Sequence, residues 1–141
     1  MGSLITSNCA YKRDVLEKMG MFDENFLTSG EDIDLCWRLA KENRNLYFDP
    51  TLKVYHIFQD SLKSMWRQYF KYGIGSTKLR KKYFNKSYVD LYIYKLLLTS
   101  VTKIMFLKRR DSTFHFLRCF QILAHVSGRV YESARSHILN V

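Results

Sequence analysis

The sequence predicts an α/β front followed by a helical tail, and three observations carry that prediction. Short β-type runs are confined to the first 58 residues, helical spacing takes over from Ser61, and charge divides along nearly the same line. Residues 1–60 hold 7 Lys/Arg against 10 Asp/Glu, a net of −3, whereas residues 61–141 hold 16 against 3, a net of +13. An acidic front joined to a basic, aromatic back suggests two jobs, the back favouring phosphate-bearing partners. With 141 residues, 47% of them hydrophobic and 16% aromatic, the chain can bury a core without staples, which excludes a disordered polymer.

Taken in order, residues 4–11 (LITSNCAY) read as a strand entering a turn. RDVLEKM, from Arg13, has helical spacing with Val15, Leu16 and Met19 inward, and Gly20 is a natural stop. MFDENFLTSG is a loop anchored by Phe22 and Phe26. Glu31–Glu42 is the clearest helix, capped by Ser29 or Gly30. Asn45–Phe48 and Lys53–Phe58 are short β runs around the Asp49-Pro50 turn. Three helices follow, over 61–84, 88–108 and 112–136, the last capped by Asp111-Ser112. The expected division is a front subdomain at 1–75 and a helical tail at 76–141. Cys9, Cys36 and Cys119 are scattered and odd in number, with no CxxC pair, so neither a disulfide framework nor a zinc knuckle is signalled and a reduced, cytoplasmic setting is expected. No charged-then-apolar leader opens the chain.

The helix from Glu31 carries the sharpest chemistry. At 100° per residue Ile33, Cys36, Trp37 and Ala40 form an apolar stripe that Leu35 and Leu39 extend, and Asp34, Arg38 and Lys41 fall on the opposite, polar arc. Asp32 projects between the Cys36 and Leu39 directions, towards the protein. A carboxylate in a first helical turn gains roughly 0.3–1 kcal/mol from the helix dipole. Held ionised beside a cleft, it has what a general base for a hydroxyl requires. From helix-end chemistry alone, ordinary capping is the more frequent reason for first-turn acids.

The run from Asn8 to His56 resembles the C-terminal half of family 2 glycosyltransferases and is similar to the galactosyltransferase C-terminal domain. The segments that carry the resemblance are N-C-A-Y-K-R (Asn8–Arg13), G-M-F-D-E-N-F (Gly20–Phe26), G-E-D-I-D-L-C-W-R (Gly30–Arg38) and V-Y-H (Val54–His56), in family order and spacing. The resemblance implies the C-terminal part of an A-type glycosyltransferase fold, with few short strands, before the long helices. It implies Asp32 as the base that deprotonates an acceptor hydroxyl in an inverting displacement, with Glu31 hydrogen-bonding the acceptor. Asn8, Ala10, Tyr11 and Gly30 would line the acceptor site, and Asp34 would support the helix start. His56 falls where relatives place a metal ligand or diphosphate contact; a strand histidine satisfied by a neighbour is the alternative. SLKSMWRQYFKYGIG continues the resemblance, and Arg67 and Lys71, one turn apart, would meet a diphosphate. Trp66, Tyr69 and Phe70 there read as packing residues.

The family places its nucleotide on an N-terminal half, with a D-x-D motif holding Mg²⁺ or Mn²⁺. Here Asp32-Ile33-Asp34 matches that string only inside the helix, and no glycine-rich phosphate loop occurs. The expectation is therefore a glycosyltransferase piece, inactive by itself, whose partners are a nucleotide sugar and an acceptor glycan or lipid-linked glycan.

The tail leaves two readings open. Residues 78–86 place five cations in nine residues, and residues 88–107 reach a spanning length. Asp90, Lys95 and Lys103 interrupt that stretch at about 2.5–3.5 kcal/mol each near a bilayer centre, which argues against a lone spanning helix. Tyr88, Tyr92 and Tyr94 at one end and Lys108-Arg109-Arg110 at the other suit an interfacial hairpin on anionic lipid at the inner face of the plasma membrane. Ordinary helix packing fits equally. A non-catalytic, partner-binding or membrane-binding module is the alternative to an enzyme. Nucleic-acid binding is set aside because no recognised motif accompanies the charge and the acidic front would repel a phosphate backbone. Uncovered sheet edges would drive self-association.

Overall fold

The computed structural model describes residues 6–45, 47–57, 60–106 and 109–141 and divides into two compact units, Met1–Phe58 and Gln59–Val141. The regular structure is helical, and the α/β expectation, with the A-type glycosyltransferase fold it drew on, is overturned. Among the described residues there is no strand and no sheet, only an isolated parallel bridge between Tyr88 and Asn140. The expected first strand contains a 3-10 turn, Thr6–Asn8, while 47–49 and 52–57 are irregular; Leu4, Ile5, Leu46 and Phe58 lie outside the described residues. The physical reason is pairing. A β-type run needs a ladder partner for its backbone groups, and Tyr47, Phe48, Tyr55 and Ile57 stay exposed on a segment that has none. Without strands among the described residues, the sheet-edge ground for self-association also falls.

In the first unit α1 (Arg13–Lys18) ends on Gly20 in the left-handed region (φ 74°). The Gly20 N–H donates to the Glu17 carbonyl and the Met21 N–H to the Leu16 carbonyl, both at 3.0 Å. That pair of reversed bonds is a Schellman stop, as the sequence implies. A 3-10 turn, Glu24–Phe26, follows, with the Asp23 side chain accepting from the Asn25 N–H and Phe26 buried. Then α2 (Glu31–Lys41) runs over a core of Leu35, Cys36 and Leu39. Asn43 (φ 53°) closes α2 as Gly20 closes α1, the Asn43 and Arg44 N–H groups returning to the carbonyls of Ala40 and Leu39.

The second unit is three helices, α3 (Leu62–Tyr83), α4 (Leu91–Phe106) and α5 (Arg109–Ser136), with α5 packed against both others. Ser61 caps α3 by accepting from the Ser64 N–H at 3.2 Å. The side chains of 107–111, including the expected basic flank, lie outside the described part, but α5 begins at Arg109, so Asp111-Ser112 fall inside the helix and do not cap it. The α3–α5 contact is set by two glycines. A Cβ on Gly73 would stand 2.1 Å from the His125 carbonyl oxygen, and one on Gly128 would stand 2.0 Å from that of Phe70. Only glycine at both positions lets the backbones approach this closely. Trp66 packs edge-on to Phe120 (5.1 Å) and Phe70 lies against Tyr131 (5.6 Å), so they pack against α5 and not against the expected sheet.

A polar layer completes this unit. Arg129 donates from both terminal nitrogens to Asp90 Oδ2 and from Nε to the Ser76 hydroxyl, all at 3.3 Å. Asn140, fully buried, donates its side-chain amide to the Thr77 hydroxyl at 3.0 Å. The Tyr88 and Asp90 N–H groups donate to the carbonyls of Leu139 and Val141, stapling the segment before α4 to residues 139–141.

Candidate functional site in the first unit

The first turn of α2 is set by Gly30, which is buried at φ 96° and whose carbonyl accepts the Asp34 N–H at 2.9 Å. A left-handed residue at that point favours glycine. The three acids that follow have separate environments. Asp34, assigned to the solvent arc by periodicity alone, is instead 0% exposed. Its Oδ2 accepts from Arg38 Nε at 2.8 Å. The terminal nitrogens of Arg38 donate to the carbonyls of Met19 and Met21, the latter at 2.7 Å. One guanidinium thus caps the end of α1, holds the G-x-F-D loop and neutralises a buried carboxylate; its planar fork suits several acceptors at once. The i, i+4 spacing of Asp34 and Arg38 is the signal that would have revealed the pair from sequence.

Glu31 and Asp32 are half-buried. Asp32 Oδ1 accepts the Ile33 N–H at 2.8 Å, and no cation among the described residues pairs with it. Asp32 and Leu39 are seven residues apart, so they share one side of α2 about 10 Å apart along its axis.

Leu39 forms part of a hollow of about 710 Å³, within the size range of small-molecule sites. Asn8, Ala10 and Tyr11 line it from the segment before α1, and Tyr47, Phe48 and Leu52 from the segment after α2. Asn8 ties the two sides together by donating from Nδ2 to the Leu52 carbonyl at 3.1 Å. The Tyr11 ring stacks edge-on to Phe22 at 6.2 Å, and its hydroxyl is buried near the Cys9 and Cys36 thiols without a well-formed hydrogen bond. Burial chiefly, then those thiols, push its phenol above the ordinary tyrosine range, so the hydroxyl stays protonated. Asp49 sits on the rim with Oδ1 accepting from the Thr51 N–H (2.8 Å) and hydroxyl (2.6 Å), which hold its carboxyl below the usual range.

The structure therefore brings Asn8, Ala10 and Tyr11 around one hollow. Gly30, Glu31, Asp32 and Asp34 are not among its lining residues. His56 is exposed, and among the described residues no three His, Cys, Asp or Glu side chains converge as metal ligands; the Mg²⁺ or Mn²⁺ expected in the complete enzyme has no ligand cluster here. Arg67 and Lys71 are exposed on α3 in the second unit. Sequence reasoning missed Lys12, Arg44 and Lys53, which also line the hollow; the mixture of cations and aromatics over 44–54 was the available signal.

The model of glycosyl transferase family group 2 matches residues 1–138. The chain belongs to that family. The chemistry of family 2 is glycosyl transfer from a nucleotide sugar to an acceptor, generally with a divalent metal. Among curated proteins, the pre-mycofactocin glycosyltransferases of two Mycobacterium tuberculosis strains, CDC 1551 / Oshkosh and ATCC 25618 / H37Rv, are each 30% identical to it over 76 residues. That stretch is 54% of this family 2 chain and 16% of each relative's own length. No solved structure matches.

Proposed function

We propose that this chain forms the acceptor-side part of an inverting glycosyltransferase, with Asp32 as general base. In that reaction the Asp32 carboxylate takes the proton of an acceptor hydroxyl. The freed oxygen bonds to the anomeric carbon of the donor sugar as the bond to the diphosphate oxygen breaks, and the nucleoside diphosphate departs. Glu31 hydrogen-bonds the acceptor. The donor half is supplied by residues beyond those present here, since the D-x-D string at Asp32 lies within a helix.

The observation that carries this reading is the division of labour in the first turn of α2. Asp34 is paired with Arg38, whereas Asp32 is half-buried, accepts one backbone N–H, and among the described residues pairs with no cation. General-base catalysis contributes about 10²–10⁴-fold. In the enzyme carrying both halves, Asp32→Asn should lower kcat by that order while leaving nucleotide-sugar affinity unchanged. Unaltered turnover removes Asp32 from the mechanism.

A second reading, a cytoplasmic module resting on the inner face of the plasma membrane, is favoured by α4. Leu91, Leu98 and Met105 are 75%, 66% and 72% exposed on one face of a helix within the basic unit. No helix among the described residues is long and apolar enough to cross a membrane, so binding would be interfacial. Co-sedimentation with phosphatidylserine vesicles, lost on Leu98→Glu and weak with neutral vesicles, supports it; absence of pelleting dismisses it.

A further inference from the structure

The hollow in the first unit has a chemical character that family membership does not specify. Its floor and walls are apolar or aromatic, from Leu39, Tyr47, Phe48 and Leu52, yet three cationic residues, Lys12, Arg44 and Lys53, line it too. All three are exposed, and no carboxylate among the described residues pairs with any of them. Among the described residues Asp49 is the single acid lining the hollow, and its Oδ1 is already engaged by Thr51. Three cations against one carboxylate leave a net positive rim over an apolar cleft. This occurs in the half of the chain whose overall charge is negative, so general basicity does not explain it. Cations beside low-dielectric walls attract an anion more strongly than the same cations on open surface.

We infer that this hollow binds an amphipathic anion, a carboxylate or phosphate carried on an apolar or aromatic body. Resting on the acceptor-side reading above, it assigns the anion-bearing end of the acceptor to the hollow. Leu39 lies on the same side of α2 as Asp32, about 10 Å further along the axis. The ligand is therefore elongated, with its charged, apolar end over Leu39 and its reactive hydroxyl about two helical turns away. Arg44 follows the left-handed Asn43 that ends α2, and Asn8 ties the far wall to Leu52. The cationic rim is thus held by backbone turns at one side and by a side-chain strap at the other.

The test is calorimetric titration of the 141-residue chain with four probes: 1-naphthyl phosphate, 1-naphthoate, 1-naphthol and inorganic phosphate. Naphthyl phosphate and naphthoate should bind at least tenfold more tightly than naphthol, which lacks the charge, and than phosphate, which lacks the body. The ratio between the first two identifies which anion the site prefers. Lys12→Gln/Arg44→Gln/Lys53→Gln should weaken naphthyl phosphate at least tenfold. Lys81→Gln/Lys82→Gln/Lys86→Gln removes equal charge from the second unit and should leave binding unchanged. If the first triple variant fails to fold by circular dichroism, each single exposed substitution should still cost two- to fivefold. Equal binding of naphthol and naphthyl phosphate, no binding of either anion, or equal losses from the two triple variants would overturn the assignment. Asp32→Asn should bind naphthyl phosphate like the wild type, so the binding result stands or falls separately from the fate of the proposed base.

Discussion

The two units hold themselves together by different means. In the first, two short helices and long irregular segments are fastened by a few polar clasps: Arg38 on three acceptors, Asn8 on Leu52, and left-handed stops at Gly20 and Asn43. In the second, two of three long helices, α3 and α5, meet at a backbone-to-backbone crossing, and Arg129, Asp90, Thr77 and Asn140 form a polar layer. The contrast teaches where each unit is vulnerable. The first should fail through loss of one polar side chain, and the second through addition of one methyl group.

The largest expected effect is in the first unit. Arg38→Ala removes the ion pair to the buried Asp34 carboxylate, and breaking a buried pair from one side costs about 3–5 kcal/mol. Chemical denaturation of the variant should show loss of the first unit's transition while α3–α5 keep their helical signal. Simultaneous loss of both would break the comparison. In the second unit, Gly128→Ala places a methyl group against the Phe70 carbonyl, an overpacking worth about 1–3 kcal/mol. A thermal melt in which the variant matches wild type would show that the helices can slide apart without cost.

A smaller effect distinguishes the units by pH. Burial chiefly, then the neighbouring Arg129, lowers the His125 pKa to about 4, against an opposing pull from Asp90. The folded-state value lies below the unfolded one, so the unfolded chain takes up the proton first as pH falls. The stabilisation from neutral His125 is complete above about pH 6.5 and is lost progressively towards pH 4. After discounting for the ring's partial exposure, the loss is on the order of 1 kcal/mol. His125→Gln should flatten the fall in Tm of the helical unit between pH 7 and 4.5; an unchanged slope would assign the acid sensitivity to other groups.

Legibility followed the same division. The helices of the second unit were readable within a few residues because helical periodicity is a local property that packing only reinforces. The stop at Gly20 and the helix from Glu31 were readable for the same reason. The strands were not, because β pairing depends on a partner segment that local sequence cannot guarantee. Asn8, Ala10 and Tyr11 line one hollow, from which Gly30, Glu31, Asp32 and Asp34 are absent. The burial of Asp34 was missed because a 100° wheel assigns a charge to solvent unless a counter-charge is weighed, and Arg38 had been placed beside it on the same arc. Lys12, Arg44 and Lys53 were missed because they come from three segments that only the folded chain assembles.

The two glycines at the α3–α5 crossing have a consequence for how the molecule breathes. Where two backbones touch with no side chain between them, there is no rotamer to flip and no gap for solvent to enter, so local opening requires the helices to separate as bodies. Amide hydrogens of residues 72–77 and 126–131 should therefore be the last to exchange in deuterium oxide, persisting after those of the clasped first unit have gone.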